Sequence, residues 1–183
     1  MSFEDAAECA GRPVDATRIL EFFRALGAEA REDTRLYLIG GTTAVLFGWR
    51  ATTAGLDIKM FPERDALFRA IPALKEKLKV NVELASPADF IPELPGWQER
   101  SRFIVREGKI DFFHYDLYSQ ALSKLQRGHA MDLEDVREMI GRGLVEPRKA
   151  MELFGAIEDQ LYRFPAIDPP SFRRRVEAAL QRR

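Results

Sequence analysis

Residues 38–60, LIGGTTAVLFGWRATTAGLDIKM, constrain the fold more than any other stretch of the chain. A short apolar run, RLYLI at 35–39, stops at Gly40-Gly41 and passes at once into TTAVLFG at 42–48, which suits a helix. LDIKM at 56–60 then reads as a second strand, with Leu56, Ile58 and Met60 alternating with Asp57 and Lys59. A strand that breaks on glycine directly into a helix presents free backbone N–H groups and the positive helix end at Thr42 and Thr43, a ready anion site. Gly40 and Gly41 lack the Cβ that would hold a phosphate away, and the threonine hydroxyls add hydrogen bonds. Taken alone, a glycine pair before a helix is equally a tight turn. Asp57 adds to the signal: it lies between core-facing neighbours and so points to the other face of its sheet, where gathered carboxylates can hold Mg²⁺ with nucleotide phosphates.

The rest of the chain supplies a sheet and then helices. Residues 1–13 read as a loose leader, after which Asp15 caps a helix carrying Ile19, Phe22, Phe23 and Leu26 and ending near Gly27. An amphipathic helix is expected over 63–78, kinked or interrupted at Pro72. VNVEL at 80–84 alternates as a strand, and 86–99, with Pro87, Pro92, Pro95 and Gly96, reads as mostly loop. RFIV at 102–105 and KIDFFHY at 109–115 flank Arg106, Glu107 and Gly108 as a hairpin. Helices follow at 117–127, 132–141 (capped by Asp132), 147–163 and 171–182. The expected fold class is therefore α/β in the α+β sense. A mixed sheet flanked by helices over 14–116 precedes a helical part over 117–183, in one domain spanning 1–183.

The order of glycine turn, short helix, Arg50–Thr53 (RATT) and acid-bearing strand resembles the nucleotidyltransferase superfamily with the DNA polymerase β-type fold. The likeness is to its small bacterial and archaeal branch of toxin-like nucleotidyltransferases, and it covers roughly residues 35–140. By that resemblance, Gly40, Gly41, Thr42, Thr43, Arg50 and Lys124 contact the nucleotide, and Asp57 is the second acid of an Asp-x-Asp pair. The third acid is Asp111, with Glu83 as its competitor, so Asp57 and Asp111 are the expected catalytic and metal residues. The resemblance implies Mg²⁺ or Mn²⁺, an NTP as substrate, and an RNA 3′ end, a protein hydroxyl or a small molecule as acceptor.

One position departs from the pattern. The first acid of the pair belongs at position 55, on the same strand face as Asp57, and the chain has Gly55 there. Loss of a hard oxygen ligand weakens Mg²⁺ binding. The alternative reading is thus a non-catalytic nucleotide-binding or regulatory protein, of the kind found in a toxin–antitoxin-like pair.

Other features carry less. With 28 basic and 29 acidic residues the net charge is −1, which predicts no generic attraction to nucleic acid or anionic membranes. One cysteine, Cys9, makes no internal disulfide. No run reaches membrane-span length and the first residues lack a signal-peptide core, so a cytoplasmic protein is the expectation. His114 and His129 lie in different elements, and His114, alternating with Ile110 and Phe112, reads as a hydrogen-bonded core histidine. Lys124, Arg127, Asp132 and Asp135 read either as nucleotide-contacting or as a solvated helix face. Arg173, Arg174, Arg175, Arg182 and Arg183 form a basic terminus, a solvated helix end or an RNA-contacting patch, and Trp49 and Trp97 either stack on a base or pack. There is no Walker A sequence and no Ser-centred nucleophile elbow, which argues against P-loop and serine-hydrolase chemistry.

Overall fold

The computed structural model describes residues 12–181, so Cys9, Arg182 and Arg183 lie outside the described residues. The chain divides into two compact units, Met1–Ala85 with Phe103–His114 and Ser86–Arg102 with Tyr115–Arg183.

The first unit is built on a five-stranded mixed sheet. Its strands are β1 (Thr34–Ile39), β2 (Gly55–Phe61), β3 (Asn81–Leu84), β4 (Arg102–Glu107) and β5 (Ile110–His114), in the order β3-β2-β1-β5-β4. β1 runs antiparallel to β2 and parallel to β5, and β2 runs parallel to β3. Among the described residues this unit has three helices: α1 (Ala16–Glu29), α2 (Gly41–Phe47) and α3 (Asp65–Leu78). The alternation in the strands and the 3.6-residue spacing in α1 and α3 converge on one core. Phe22, Phe23 and Leu26 of α1 and Leu67, Ile71 and Leu74 of α3 pack with Leu36, Leu38, Leu56, Ile58, Ile110 and Phe112 of the sheet. Phe23 stacks on Phe112 with ring centroids 4.1 Å apart. Each such side chain contributes roughly 1.5–3 kcal/mol by leaving water. Period two then sends Asp57, Lys59 and Asp111 to the opposite sheet face.

Asp15 caps α1, accepting from the Arg18 N–H at 2.9 Å. The Arg18 guanidinium in turn closes the far end of α3, donating to the Leu78 and Lys79 carbonyls at 2.7 and 2.9 Å. Pro72 lies inside α3, yet the helix runs from Asp65 to Leu78, so of the expected kink or interruption the interruption is not there. The amphipathic face on both sides of Pro72 is buried, and tertiary packing carries the helix past the lost N–H.

The second unit is helical: α4 (Trp97–Arg100), α5 (Leu117–Arg127), α6 (Ala130–Gly141), α7 (Pro147–Ile157) and α8 (Pro169–Leu180), with 3-10 turns at Pro87–Asp89 and Glu158–Arg163. Leu122, Met139, Phe154 and Phe172 are fully buried within it, and Phe154 meets Phe172 edge-on at 5.1 Å. The Pro-rich excursion at 86–102 belongs here and not with the sheet as the sequence pattern suggests. Its anchor is Arg100, whose Nε and Nη2 grip the fully buried Asp116 carboxylate at 3.1 and 2.8 Å. Asp116 also caps α5, accepting from the Tyr118 and Ser119 N–H groups. Trp97 is buried against Tyr115, the rings parallel and 4.3 Å apart, which makes it packing and not a free stacking platform.

The residue expected to cap α6, Asp132, instead sits in its first turn, and His129 occupies the cap. Among the described residues no helix is long and apolar enough to cross a membrane.

Candidate functional site

The glycine turn is where the expected site residues meet. Gly40 adopts φ 69°, ψ −129°, a conformation that side-chain-bearing residues avoid, and turns β1 directly into α2. α2 lasts seven residues before Gly48, at φ 86°, ends it in the left-handed region. The backbone N–H groups of Trp49 and Arg50 then return to the Ala44 carbonyl at 3.1 and 3.3 Å. This folds the Arg50–Thr53 segment back over the start of the helix. Thr53 is pinned by a two-way backbone bridge to Val14, at 2.8 and 2.9 Å. A Cβ on Gly41 would fall 2.2 Å from the Thr53 Oγ1 and 3.7 Å from an Arg50 guanidinium nitrogen. The space that glycine opens at 41 is therefore filled by Thr53, with Arg50 alongside.

Asp57 completes the cluster. Its Oδ2 would lie 3.0 Å from a Cβ on Gly40, so the carboxylate reaches the turn from β2. Two residues before it, Gly55 is in ordinary strand conformation and pairs with Asn81 of β3. A Cβ at 55 would meet the Asn81 Cβ and carbonyl oxygen at 3.0 Å each and the Asn81 Nδ2 at 3.3 Å. The position of the missing carboxylate is thus free of backbone strain but crowded by both the side chain and the backbone carbonyl of Asn81. Asp57 itself pairs with Glu83, and the Asn81 Nδ2 donates to the Glu83 Oε1 at 2.9 Å.

The other expected residues are drawn elsewhere. Asp111 pairs with Arg35 at the start of β1, while Asp57 pairs with Ile39 at its end. Four residues along a strand and two strand spacings across separate them by about 16 Å, too far to share one metal ion. Asp111 thus shares the sheet face of Asp57 but stands at the other end of it. Asp111 instead accepts from the Arg106 Nη1 at 2.9 Å, and Arg106 also bonds Asp33. Those two hydrogen bonds, Asp33 first, raise the Arg106 pKa. Glu83, the expected competitor, is the acid next to Asp57.

Lys124 is buried within the helical unit, its Nζ 2.7 Å from Asp135 and 3.3 Å from Asp132. Its charge is committed to an internal ion cluster, so neither the nucleotide contact nor the solvated face fits it. Arg127 joins the cluster through Asp132 at 2.6 Å. Thr42 and Thr43 have no exposed surface, and Thr43 donates to the Leu38 carbonyl at 3.3 Å. The Thr42 Oγ1 is buried without a hydrogen-bond partner. His114 is buried as expected, with Nδ1 3.3 Å from the Thr43 Oγ1 and its ring stacked on Phe47 at 4.4 Å. Trp49 stacks on Phe47 at 5.7 Å. Arg173 forks onto Glu158 and pairs with Glu177, so the basic stretch at 173–175 is not one free cationic patch.

Two contributors were not anticipated. Thr53 lay inside the recognised RATT segment, and its role follows once that segment folds back on Gly41. Asn81 alternates in phase with Glu83, which marks its face, but only the β2–β3 register puts it opposite Gly55. Among the described residues no three Asp, Glu, His or Cys side chains gather as a metal-ligand set.

The model of one protein family, described as nucleotidyltransferase of unknown function (DUF6036), matches residues 17–161, most of the chain. No curated protein and no solved structure matches it.

Proposed function

The chain belongs to this family of nucleotidyltransferases of unknown function, and from that premise we propose that it is a non-catalytic member, one that binds a nucleotide or regulates without transferring a nucleoside monophosphate. The observation that carries the reading is the pair Gly55–Asn81. The first acid of the metal-binding pair is absent, and the space its side chain would use is taken by Asn81 at 3.0 Å. The residues at the turn do not fit a two-metal centre. Asp57 remains beside Gly40 and Glu83 stands next to it in register, but Asp111 is paired with Arg106 at the other end of the sheet. Arg50 at the turn is a guanidinium suited to phosphate oxygens, which supports retained nucleotide binding. An acceptor, whether RNA, protein or small molecule, belongs to the ancestral activity.

The test is direct. The chain, Asp57→Ala and Gly55→Asp are incubated with labelled NTPs, Mg²⁺ or Mn²⁺, and total RNA. Nucleotide affinity is measured in parallel by calorimetry. The expected result is no label transfer by the natural chain and nucleotide binding that is indifferent to Mg²⁺. Gly55→Asp should gain less than about a tenfold metal dependence, the scale of one charge-assisted contact, because the Asn81 Cβ and carbonyl oxygen stay 3.0 Å from its Cβ. Metal-dependent transfer by the natural chain that Asp57→Ala abolishes would overturn the proposal.

A further inference from the structure

The helical unit holds a cavity that the nucleotide turn does not use. It measures about 490 Å³, within the size range of small-molecule sites, and opens between α5, α6 and α8. Its walls are apolar: Leu125 of α5, Val136 and Ile140 of α6, and Ala178 and Ala179 of α8. The two alanines set its depth, because larger side chains on that stretch of α8 would close it. No acidic residue lines it, while two arginines do, Arg137 and Arg175.

Neither arginine forms an ion pair with a carboxylate among the described residues, although the charge of Arg175 is felt at Asp168. This separates them from Arg127, Arg142 and Arg173, each of which is paired within the same unit. Arg175 is held in place by packing: its Nη1 would lie 2.6 Å from a Cβ on Gly128, the residue that ends α5. The guanidinium therefore rests against the negative end of α5. Its Nε is buried with no hydrogen-bond partner. A buried donor without an acceptor costs free energy that an incoming acceptor would recover.

From an apolar cavity whose polar groups are two guanidiniums outside any salt bridge, one with a buried Nε that has no acceptor, we infer that this site binds a small amphiphilic carboxylate. Its hydrocarbon or aromatic body lies among Leu125, Val136, Ile140 and the α8 alanines, and its head group pairs with Arg175 and Arg137. An uncharged apolar ligand would leave the Arg175 donor unmet, and a cationic one would add repulsion.

Decanoate below its micellar concentration is titrated into the full chain by calorimetry, with decyltrimethylammonium as the matched cation and amide shifts read by NMR. Saturable one-to-one binding of decanoate is expected, with shifts confined to α5, α6 and α8 and no binding of the cation. Arg175→Gln and Arg137→Gln should each weaken it about tenfold, the scale of one charge-assisted pair. Ala178→Trp, at an exposed lining position, should abolish it while circular dichroism stays unchanged. Arg137 is exposed, so Arg137→Gln carries the test even where Arg175→Gln unfolds the protein. No saturable binding, equal binding of both head groups, or binding that survives Ala178→Trp would overturn the inference. So would binding of an acidic amphipathic peptide where decanoate fails, since the occupant would then be a protein.

Discussion

Single atoms decide several of the contacts on which this protein depends. Gly27 lies inside α1, where alanine would ordinarily be the better helix former by about 1 kcal/mol. Here a Cβ at 27 would sit 2.6 Å from the Glu107 carbonyl oxygen, and one at Gly108 would sit 2.2 Å from the Gly27 carbonyl oxygen. Both obstacles are backbone, which cannot swing aside. Gly27→Ala is therefore expected to lower stability by roughly 1–2 kcal/mol, overpacking outweighing propensity. A lower urea midpoint with an unchanged slope would register this, and a higher midpoint would refute it. The buried cluster in the helical unit makes a second case at this scale. Lys124→Met removes the ammonium 2.7 Å from the buried Asp135 and should cost roughly 3–5 kcal/mol. Lys124→Met/Asp135→Leu, which replaces both charges with apolar groups, should recover a large part of that in a double-mutant cycle. Equal losses in the single and double variants would show that charge pairing is not what holds α5 to α6.

Elements are where sequence and structure agree most and also where they part. All five strands and both long helices of the sheet unit were legible, because alternation and helical spacing follow directly from which side of an element faces the core. The face of Asp57 was legible for the same reason. The partner of Asp57 was not, since period two reports face but not height, and the parallel β1–β5 register that puts Asp111 opposite Arg35 is fixed only when the sheet assembles. Gly55 was legible as a missing acid, while Asn81 above it belongs to the neighbouring strand's register. In the helical unit the buried side of α5 includes Ser119, Gln120, Ser123 and Lys124, so hydrophobic spacing alone misassigned its charged residues to solvent. The end of α3 offers a test of local rules. Lys79 holds φ 52°, ψ 43°, the left-handed conformation, at the C-cap. A glycine there relieves the Cβ penalty, and the Arg18 hydrogen bond to the Lys79 carbonyl does not involve its side chain. Lys79→Gly should thus raise stability by about 1 kcal/mol, seen as a higher thermal midpoint. A lower midpoint would mean that the Lys79 side chain contributes more than its strain removes.

At the scale of the molecule, three carboxylates of the helical unit, Asp132, Glu158 and Asp168, have lowered pKa values. Burial of Asp132 works against its charge, yet hydrogen bonds from Arg127 and the charge of Lys124 outweigh it and hold its pKa low. Hydrogen bonds from Arg173 lower that of Glu158, and those from Ser171 lower that of Asp168. Lowered folded pKa values mean stability that is complete above the unfolded values, near 4, and is lost as pH falls through the folded ones. Hydrogen exchange followed from pH 6 downward should therefore show protection falling first in α6 and α8 and later in β1 and β5. The reverse order would remove these carboxylates from the account of acid sensitivity. The two units also interleave along the chain, since Ser86–Arg102 belongs with the helices and Phe103–His114 with the sheet. Synthesis on the ribosome therefore cannot deliver them one after the other. β1 emerges early, but its lateral neighbour β5 appears only after the Pro-rich excursion has been made, so the open edge of β1 must be kept from pairing wrongly in the interval. No single cut in the chain releases either unit whole.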